Sequence, residues 1–342
     1  MRYPKFLEDG ERIGLIAPSF GGSIEPYKTR LESAVSKFES LGYKVIEGPN
    51  TRLGIGIGKS NTPKACADEI NDFFTNDKSD IILSCGGGET MCEDMPLVDF
   101  EEIKKAKPKW FAGYSDNTNL TFLLNTLCDT AAVYGPCVGD FGMQPWHESI
   151  DDLYKLLRGE KLSFANYDLW EEDCPDDYPA TGIYNVTQKY CQKVLMPDNT
   201  TSGEIEGRLI GGCMDVLSML CGTKFDKVKE FIEKYKDDGI IWFLESCELN
   251  PFSIRRVLWQ FEQAGWFKYT KGFIFGRPLE YKTEIMGLNC HEAVSGILDK
   301  YKVPIVLDIN IGHISPSIPI ISGSYAKIAF SDNKFEINYD LR

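Results

Sequence analysis

The first half of the chain alternates short apolar runs with segments whose apolar residues recur at helical spacing. Four apolar residues share one face of the first predicted helix: Leu31, Val35, Phe38 and Leu41. Gly42 ends that helix, and a second predicted helix spans residues 63–74 after a cap at Thr62. The predicted strands around them are short: 13–17, 44–47, 80–85, 110–112 and 131–134. Strands separated by helices predict an α/β fold with a mostly parallel sheet.

The pattern breaks between residues 167 and 201. Acidic, aromatic and proline residues mix there without a period, and Trp170 is among them. Segments of this length without regular structure are usually functional loops or linkers. We therefore predict three parts: an N-terminal domain at 1–166, a linker or active-site loop at 167–201, and a smaller, strand-rich C-terminal α/β domain at 202–342.

The second domain contains both kinds of predicted element. Its predicted helices are 216–220, 253–264 and 290–298. Its predicted strands are 240–244, 272–276, 304–307, 318–321, 325–330 and 335–339.

Composition narrows the class of protein. The chain has 342 residues, of which 43% are hydrophobic and 26% charged, and these fractions are typical of a globular protein. The net charge is −14, and scattered Lys and Arg residues give no nucleic-acid footprint. No segment resembles a secretory signal or a membrane span. Eleven cysteines without a C-x-x-C pair argue against a metal finger and suit a reducing cytoplasm.

A serine lies in a sharp turn directly after the predicted strand at 110–112. The turn reads Gly113-Tyr114-Ser115-Asp116, and an amphipathic helix follows it at 120–127. Such a turn exposes a serine hydroxyl beside the free N–H groups of a helix N-terminus, as a nucleophile requires. The usual hydrolase motif is G-x-S-x-G, whereas this one is G-x-S-x-N. An ordinary helix-capping turn is the alternative interpretation.

Three histidines are available as a base for this serine. His147 stands in a predicted surface turn, and His291 opens a predicted helix. His313 follows the buried strand at 304–307, and strand ends are where sites collect in α/β proteins. It is therefore the candidate base, although a turn histidine satisfied by the backbone also fits.

A carboxylate ends the apolar run at residues 240–244. Glu245 stands at the mouth of this predicted strand, where a charged group needs a partner. It either orients a histidine as a catalytic acid or forms a salt bridge with Arg255 or Arg256. Glu248 is the competing acid.

Three glycines follow the predicted strand at 80–85. The N–H groups of Gly87 and Gly88 suit half of an oxyanion hole, a phosphate cradle or a plain tight turn. Neither the P-loop pattern nor G-x-G-x-x-G is present. Cys85 precedes the glycines and would be the nucleophile of an amidotransferase-like enzyme, but no helix directly follows it.

These motifs occur in an order that resembles the LD-carboxypeptidase family of serine peptidases, which includes the microcin C immunity peptidases. The motifs, which extend over nearly the whole chain, are Ala17-Pro18-Ser19, Gly87-Gly88, Gly113-Tyr114-Ser115-Asp116, Gly135-Pro136, Gly211-Gly212, Gly222-Thr223, the Glu245 segment and Gly312-His313. The resemblance implies a Rossmann-like N-terminal domain and a cytoplasmic homodimer without metal or cofactor.

The resemblance also implies the roles of individual residues. Ser115 matches the family nucleophile, Glu245 the acid and His313 the base. The N–H of Asp116, with that of Gly87 or Gly88, matches the oxyanion hole.

Two positions depart from the family pattern. Many members have His-Gly-Pro where this chain has Tyr134-Gly135-Pro136, and Gly-Gly-Asn where it has Gly211-Gly212-Cys213. The stretch at 245–248 and the loop around Trp170 look more like the microcin-immunity branch, in which a loop tryptophan stacks on a nucleobase. Packing between domains is the alternative role for Trp170.

The sequence thus predicts a serine peptidase that cleaves an amide beside a free carboxylate in a small peptide or peptide–nucleotide conjugate. Trp170, Glu248 and Arg255 are weak candidates for substrate binding, since a carboxylate calls for a fixed cation. The alternative function is that of a muramoyltetrapeptide carboxypeptidase of peptidoglycan recycling, whose substrate would be a murein tetrapeptide. A non-catalytic Rossmann-like binding protein is the rival from another class, and it would hold the serine, acid and histidine far apart.

Overall fold

The computed structural model describes residues 1–173, 175 and 178–342. Its first sheet contains five parallel strands: β1 (Arg12–Ile16), β2 (Lys44–Glu47), β3 (Ile81–Ser84), β4 (Phe111–Gly113) and β5 (Ala132–Tyr134). The accompanying helices are α1 (Tyr27–Ser40), α2 (Pro63–Thr75), α3 (Phe100–Lys105), α4 (Thr118–Thr126) and α5 (Glu148–Leu157). The predicted mixed α/β class with a mostly parallel N-terminal sheet is confirmed.

The segment after α5 carries four short strands. They are β6 (Ser163–Ala165), β7 (Leu169–Trp170), β8 (Gln188–Lys189) and β9 (Lys193–Leu195). Within the described residues, β7 and β8 pair only with each other, and β9 pairs with a strand of the second sheet. The C-terminal end of the predicted loop at 167–201 is therefore attached to that sheet.

The remaining chain builds the second, eight-stranded sheet. Its elements are, in chain order, β10 (Ser202–Cys213), α6 (Met214–Leu220), α7 (Val228–Lys234), β11 (Ile240–Glu245), α8 (Pro251–Gln263), β12 (Thr270–Gly276), α9 (Cys290–Leu298), β13 (Ile305–Ile309), β14 (Ile320–Ser322), β15 (Tyr325–Ser331) and β16 (Lys334–Asp340). β10, β11, β12 and β13 run parallel, and antiparallel strands flank them on both sides. This is the strand-rich part that the sequence predicts.

The two sheets exchange strands across the predicted domain boundaries. β14 leaves the C-terminal part and pairs antiparallel with β5 at the edge of the first sheet. β6, from the N-terminal part, pairs with β16 in the second sheet. Each sheet is therefore completed by a strand from the other part of the chain.

Polar caps mark several helix starts. The predicted cap Thr62 accepts from the N–H of Ala65 at the start of α2, and Asn289 forms a capping box with Glu292 at α9. His147 caps α5, a helix that the sequence analysis does not predict. Cap geometry explains why α9 has the predicted bounds.

α4 lies buried between the two sheets. Its residues 118–125 are all buried, and Phe122 stacks on Trp266 with ring centroids 5.6 Å apart. Trp266 in turn stacks on Trp242 of β11 at 5.6 Å. The serine turn thus leads into a helix clamped by apolar packing, which fixes the position of that turn. Among the described residues, no helix is both long enough and apolar enough to cross a membrane.

Candidate active site

Ser115 occupies the sharp turn between β4 and α4. Its φ of 61° lies in the left-handed region, which is uncommon and strained for a residue with a side chain. A single turn of 3-10 helix, Ser115–Asn117, then leads into α4. This backbone exposes the Ser115 hydroxyl at the carboxyl end of a parallel strand, as in a nucleophile turn.

The structure brings Ser115, His313 and Glu245 together, although they are far apart in the sequence. His313 Nε2 lies 2.9 Å from Ser115 Oγ, and His313 Nδ1 lies 2.8 Å from Glu245 Oε2. Glu245 ends β11 and is 1% exposed, and His313 follows β13. Both distances are those of ordinary hydrogen bonds, so the three side chains form one continuous chain. This proximity argues against the rival with separated residues.

Burial and charge act together on the histidine–glutamate pair. Burial alone would lower the pKa of His313, but the Glu245 carboxylate and the Cys247 side chain together outweigh it, so the pKa is raised well above that of a free histidine. Burial would likewise raise the pKa of Glu245, yet His313 and further donors hold that pKa below its ordinary value. The pair therefore favours an imidazolium facing a carboxylate.

Tyr134 connects the serine turn to the acid. Its hydroxyl donates to Glu245 Oε1 and accepts from the N–H of Ser115 at 3.3 Å. The carboxylate consequently has both oxygens engaged, one by His313 and one by Tyr134. The departure from the family pattern at this position thus lies in direct contact with the triad.

The glycine turn after β3 approaches Ser115 very closely. A Cβ added to Gly87 would lie 2.9 Å from Ser115 Cβ and 3.0 Å from Ser115 Oγ, and 3.9 Å from the N atom of Asp116. Only glycine permits this approach. The turn is fixed because Phe20 N–H donates to Gly87 O and the Asn117 side chain donates to Gly86 O, each at 2.9 Å. The predicted oxyanion-hole residues Asp116 and Gly87 are therefore neighbours at the serine.

The buried Asp116 side chain joins three segments. It accepts from Ser19 Oγ at 2.6 Å, from Met91 N–H at 3.0 Å and from Asn119 Nδ2 at 3.0 Å. Burial raises the pKa of Asp116. Gly88, with a φ of 151°, lies against Ser19. The Ser19 motif thus supports the glycine turn rather than the serine itself.

Asp215 and Gly312 support the acid and the base. The Asp215 carboxylate accepts from the N–H groups of Cys247 and Glu248 and from the Cys213 thiol at 3.3 Å. Gly312 has a φ of 97°, and a Cβ there would lie 2.6 Å from the Glu245 carboxylate. Any other residue would both strain the backbone and clash with the acid.

Two cavities lie in different parts of the molecule: one of about 410 Å³ adjoins the 194–201 segment, and a smaller one is lined by the residue that precedes Ser115. The smaller cavity, of about 220 Å³, is lined by Tyr114 and Ser315, which neighbour Ser115 and His313 in sequence. The Tyr114 and His313 rings are 5.2 Å apart. We regard the smaller cavity as the candidate substrate site because Tyr114, which lines it, precedes Ser115 and packs against the His313 ring.

Charged groups and the long loop complete the walls of that cavity. Arg30 is the one cation among the described lining residues, and its Nε donates to Ala180 O at 2.8 Å. Burial raises the pKa of Asp140, also in the wall, to about 6. Tyr178 and Tyr184, from the loop at 167–201, close the opposite side. The loop therefore covers the cavity that adjoins Ser115.

Trp170, a predicted substrate-binding residue, is buried within the protein. It is 6% exposed, its indole N–H donates to Lys189 O at 3.1 Å, and the Arg277 guanidinium lies 4.1 Å from its ring centroid. Tyr281 packs edge-on against the ring. These contacts favour the packing role for Trp170.

The other two predicted substrate-binding residues, Glu248 and Arg255, lie in different surroundings. Glu248 is exposed. The pKa of Glu89, near the glycine turn, is raised first by the burial of Glu89 itself and next by the negative charge of Glu248. Arg255 instead lies on α8 and donates to the carbonyls of Glu292 and Gly296 in α9. The structure does not bring Arg255 to the triad, because helix packing engages its guanidinium.

The remaining alternatives for nucleophile and base have other contacts. His147 caps α5, and His291 Nε2 pairs with Asp308 at 2.7 Å. Cys85 follows β3 without a helix directly after it, and burial raises the pKa of its thiol well above the ordinary value. Geometry therefore favours Ser115 over a cysteine nucleophile.

Sequence reasoning did not assign roles to Tyr134, Asp215 and Arg30. Each contacts a residue or segment that is distant in the sequence, and such a contact cannot be read from the neighbouring residues. The departures from the family pattern at Tyr134 and Cys213 were the available signal, because both contact the surroundings of Glu245.

A serine in a strand-to-helix turn on a mixed α/β fold is characteristic of serine hydrolases. The N-terminal domain of the LD-carboxypeptidase family matches residues 13–135, and the C-terminal domain of that family matches residues 206–328. The chain belongs to the LD-carboxypeptidase family and is a serine-type carboxypeptidase.

Two curated relatives resemble the chain over most of its length. The microcin C7 self-immunity protein MccF of Escherichia coli is 25% identical over 96% of this chain and 93% of its own. A probable murein peptide carboxypeptidase of Bacillus subtilis is 26% identical over 94% of this chain and 90% of its own.

Solved structures share the fold. An MccF-like protein from Bacillus anthracis superposes with a TM-score of 0.83 at 23% identity, covering 99% of this chain and 100% of its own. MccF in complex with glutamyl sulfamoyl guanosine superposes with a TM-score of 0.81 at 20% identity, covering 99% and 98%.

Proposed function

We propose that this carboxypeptidase uses Ser115, His313 and Glu245 to hydrolyse the amide beside a free carboxylate in a small peptide or peptide conjugate. The observation that carries the proposal is the double contact of His313, which meets Ser115 Oγ at 2.9 Å and Glu245 Oε2 at 2.8 Å. No other histidine in the described part of the chain has a serine and a carboxylate on its two ring nitrogens.

Acylation begins with the neutral form of His313. Ser115 Oγ–H then donates to Nε2, and the proton moves to Nε2 as Oγ attacks the substrate carbonyl. Glu245 accepts from Nδ1–H, which fixes the tautomer and stabilises the imidazolium that forms. The same imidazolium returns the proton to the leaving amine as the amide bond breaks.

The oxyanion forms beside the glycine turn. We assign the developing negative charge to the N–H groups of Asp116 and of Gly87 or Gly88, because the Gly87 turn lies against Ser115 and backbone donors held in place need no reorganisation. Water then attacks the acyl-enzyme with His313 again acting as the base, and Ser115 is released.

The cavity beside Tyr114 suits a substrate with a carboxylate and a flat or apolar distal group. The wall carries the carboxylates of Asp140 and Glu171 as well as Arg30, and Arg30, the one cation among the described lining residues, is our candidate for binding the substrate carboxylate in place of Arg255. Tyr178 and Tyr184 supply aromatic surface. Since solved relatives hold aminoacyl sulfamoyl nucleosides and AMP, we favour a peptide–nucleotide conjugate. The murein peptide relative supports the muramoyltetrapeptide alternative.

Cell compartment and assembly are part of the same proposal. The ten cysteines among the described residues are free thiols, which suits the reducing cytoplasm. Family resemblance suggests a homodimer, and light scattering after gel filtration tests it.

The decisive experiment offers the protein both substrate classes. An aminoacyl sulfamoyl adenosine and an L-Ala-D-Glu-diaminopimelate-D-Ala tetrapeptide are incubated separately, and mass spectrometry follows the released products. Cleavage of either one by the wild type and not by Ser115→Ala supports the function. Absence of cleavage of both, with folded protein, contradicts it.

A further inference from the structure

A thiol lies beside the histidine–glutamate pair. Cys213 Sγ, a Glu245 carboxylate oxygen and a His313 ring nitrogen all lie within 4.8 Å of one another. Cys213 is 2% exposed and Glu245 1%. The mechanism proposed above uses the histidine and the glutamate but assigns no step to this thiol.

We propose that Cys213, Glu245 and His313 form an inhibitory site for a thiophilic divalent cation such as Zn²⁺ or Cd²⁺. A thiolate, an imidazole and a carboxylate are three protein ligands typical of zinc, with an open fourth position. With bonds of about 2.0–2.3 Å, a tetrahedral ion holds ligand atoms roughly 3.5 Å apart. The Glu245–His313 contact of 2.8 Å need open only slightly to admit the ion.

The surroundings favour a bound cation. Asp215 Oδ2 accepts from the Cys213 thiol at 3.3 Å, and Tyr134 donates to the second oxygen of Glu245. The Tyr134 hydrogen bond orients the Glu245 ligand in the metal-bound site. The hydrogen bond from the Cys213 thiol to Asp215 holds the sulfur in place before the ion binds and is lost when the thiolate forms. Asp215, together with Glu89 and Glu248 near the glycine turn, makes the local field negative.

Binding of the cation releases two protons from its ligands. The cation displaces the thiol proton of Cys213 and the proton on the His313 nitrogen that faces Glu245, and both protons pass to solvent; no electron is transferred. The neutral imidazole then carries its remaining proton on Nε2, towards Ser115. His313 can no longer accept the serine proton, so the enzyme is inhibited. This consequence rests on the proposed function, whereas binding itself does not.

The binding test uses cadmium and the intact protein. One equivalent of Cd²⁺ should produce a sulfur-to-cadmium charge-transfer band in the ultraviolet, and calorimetry should give matching stoichiometry. Cys213→Ser and Cys213→Asn should both lose the band and weaken binding by more than about tenfold. Cys191→Ser, at an exposed thiol, and Cys247→Ser should retain it. Retention of the band in folded Cys213 variants, or its loss only with Cys191 or Cys247, overturns the site.

The inhibition test uses zinc with the wild type. Micromolar Zn²⁺ should abolish hydrolysis of whichever substrate is cleaved, and a chelator should restore it. Cys213→Asn should keep its residual hydrolysis at Zn²⁺ concentrations at least about tenfold higher. Cd²⁺ bound at Cys213 without loss of hydrolysis would instead contradict His313 as the base, so the two proposals fail separately.

Discussion

Tyr134 donates a hydrogen bond to the buried carboxylate of Glu245 and thereby ties the first sheet to the acid at the end of β11. The same hydroxyl accepts from Ser115 N–H at 3.3 Å. One side chain therefore sets the position of both the acid and the serine turn. It is a positioning residue, since it reaches the reacting atoms through others.

Tyr134→Phe should weaken this arrangement without removing it. A buried carboxylate oxygen loses a donor, so unfolding free energy should fall by about 1.5–3 kcal/mol. The pKa of Glu245 should rise, because the tyrosine donor helps to lower it. Denaturant melts measure the loss in the free energy of unfolding, and kcat/KM measures the consequence of the change at Glu245 for activity. The control is Tyr154→Phe on α5, which removes a hydroxyl that contacts the Tyr43 hydroxyl and should leave kcat unchanged. Equal kcat losses in both variants would contradict the positioning role.

Ser115→Ala should abolish turnover and keep the fold. Loss of a serine nucleophile typically lowers kcat by roughly 10⁴–10⁶-fold. The strained φ of 61° is no harder for alanine than for serine, so thermal stability should change little. The matched control is Ser40→Ala, at an exposed position of α1. Residual activity within tenfold of the wild type would exclude Ser115 as the nucleophile.

Activity should rise with pH through the raised pKa of His313. The free enzyme needs neutral imidazole, so the acidic limb of kcat/KM should lie above about pH 6.5, the ordinary histidine value. Because the folded-state pKa of His313 is raised, the pair contributes its full stabilisation below the ordinary histidine pKa of about 6.5, and this stabilisation is lost as pH rises through the folded-state pKa.

Glu245→Gln tests the cause of that shift. Without the carboxylate, burial remains and lowers the pKa of His313, so the acidic limb should move to lower pH. kcat should fall by up to about 10⁴-fold because the tautomer is no longer enforced. Glu248→Gln, at an exposed carboxylate, is the control. A limb that stays in place in Glu245→Gln would show that another group titrates.

The proximity of the three candidate residues could be predicted from the sequence because local patterns encode their positions. Ser115, Glu245 and His313 all stand at the ends of apolar strands, and parallel strands bring their carboxyl ends to one edge. β10 was missed because its glycines, such as Gly207 and Gly211, interrupt the strand pattern. The pairing of β14 with β5 could not be predicted from the sequence either, since the partners of a strand depend on tertiary packing.

The substrate side of the site was less predictable for the same reason. Arg255 and Trp170 were selected for residue type near a motif, yet both are engaged in packing. Arg30 enters the cavity from α1, far from any catalytic motif. Long-range contacts decide which cation and which aromatic side chains line the cavity beside Tyr114.

Prolonged dialysis against a chelator should leave hydrolysis intact or increase it. The proposed mechanism needs no metal, because Ser115, His313 and backbone N–H groups supply nucleophile, base and oxyanion stabilisation. Rates are measured before and after dialysis, with metal content checked by mass spectrometry. Loss of activity that returns with added Zn²⁺ would refute the serine mechanism.

Trp170→Ala should show whether Trp170, in the loop at 167–201, packs within the protein or binds substrate. Trp170→Ala removes a buried ring between Arg277 and Tyr281, and such truncations cost about 3–5 kcal/mol of stability. Its activity on nucleotide-linked and murein-type peptides should therefore fall together, in step with the melting temperature. A selective loss on the nucleotide substrate at unchanged stability would return Trp170 to the substrate site.

Tyr178→Ala should give the opposite pattern. Tyr178 lines the cavity beside Tyr114, and its hydroxyl donates to Ile183 O at 2.5 Å. Aromatic stacking contributes about 0.5–1.5 kcal/mol beyond area burial, so KM for a nucleotide-linked peptide should rise roughly three- to tenfold. KM for a murein-type peptide, which has no aromatic group, should change less. Tyr178→Phe keeps the ring and loses the hydroxyl bond, so it should behave like the wild type on both substrates. If Tyr178→Phe matches Tyr178→Ala, the hydroxyl bond that holds the loop matters and stacking does not.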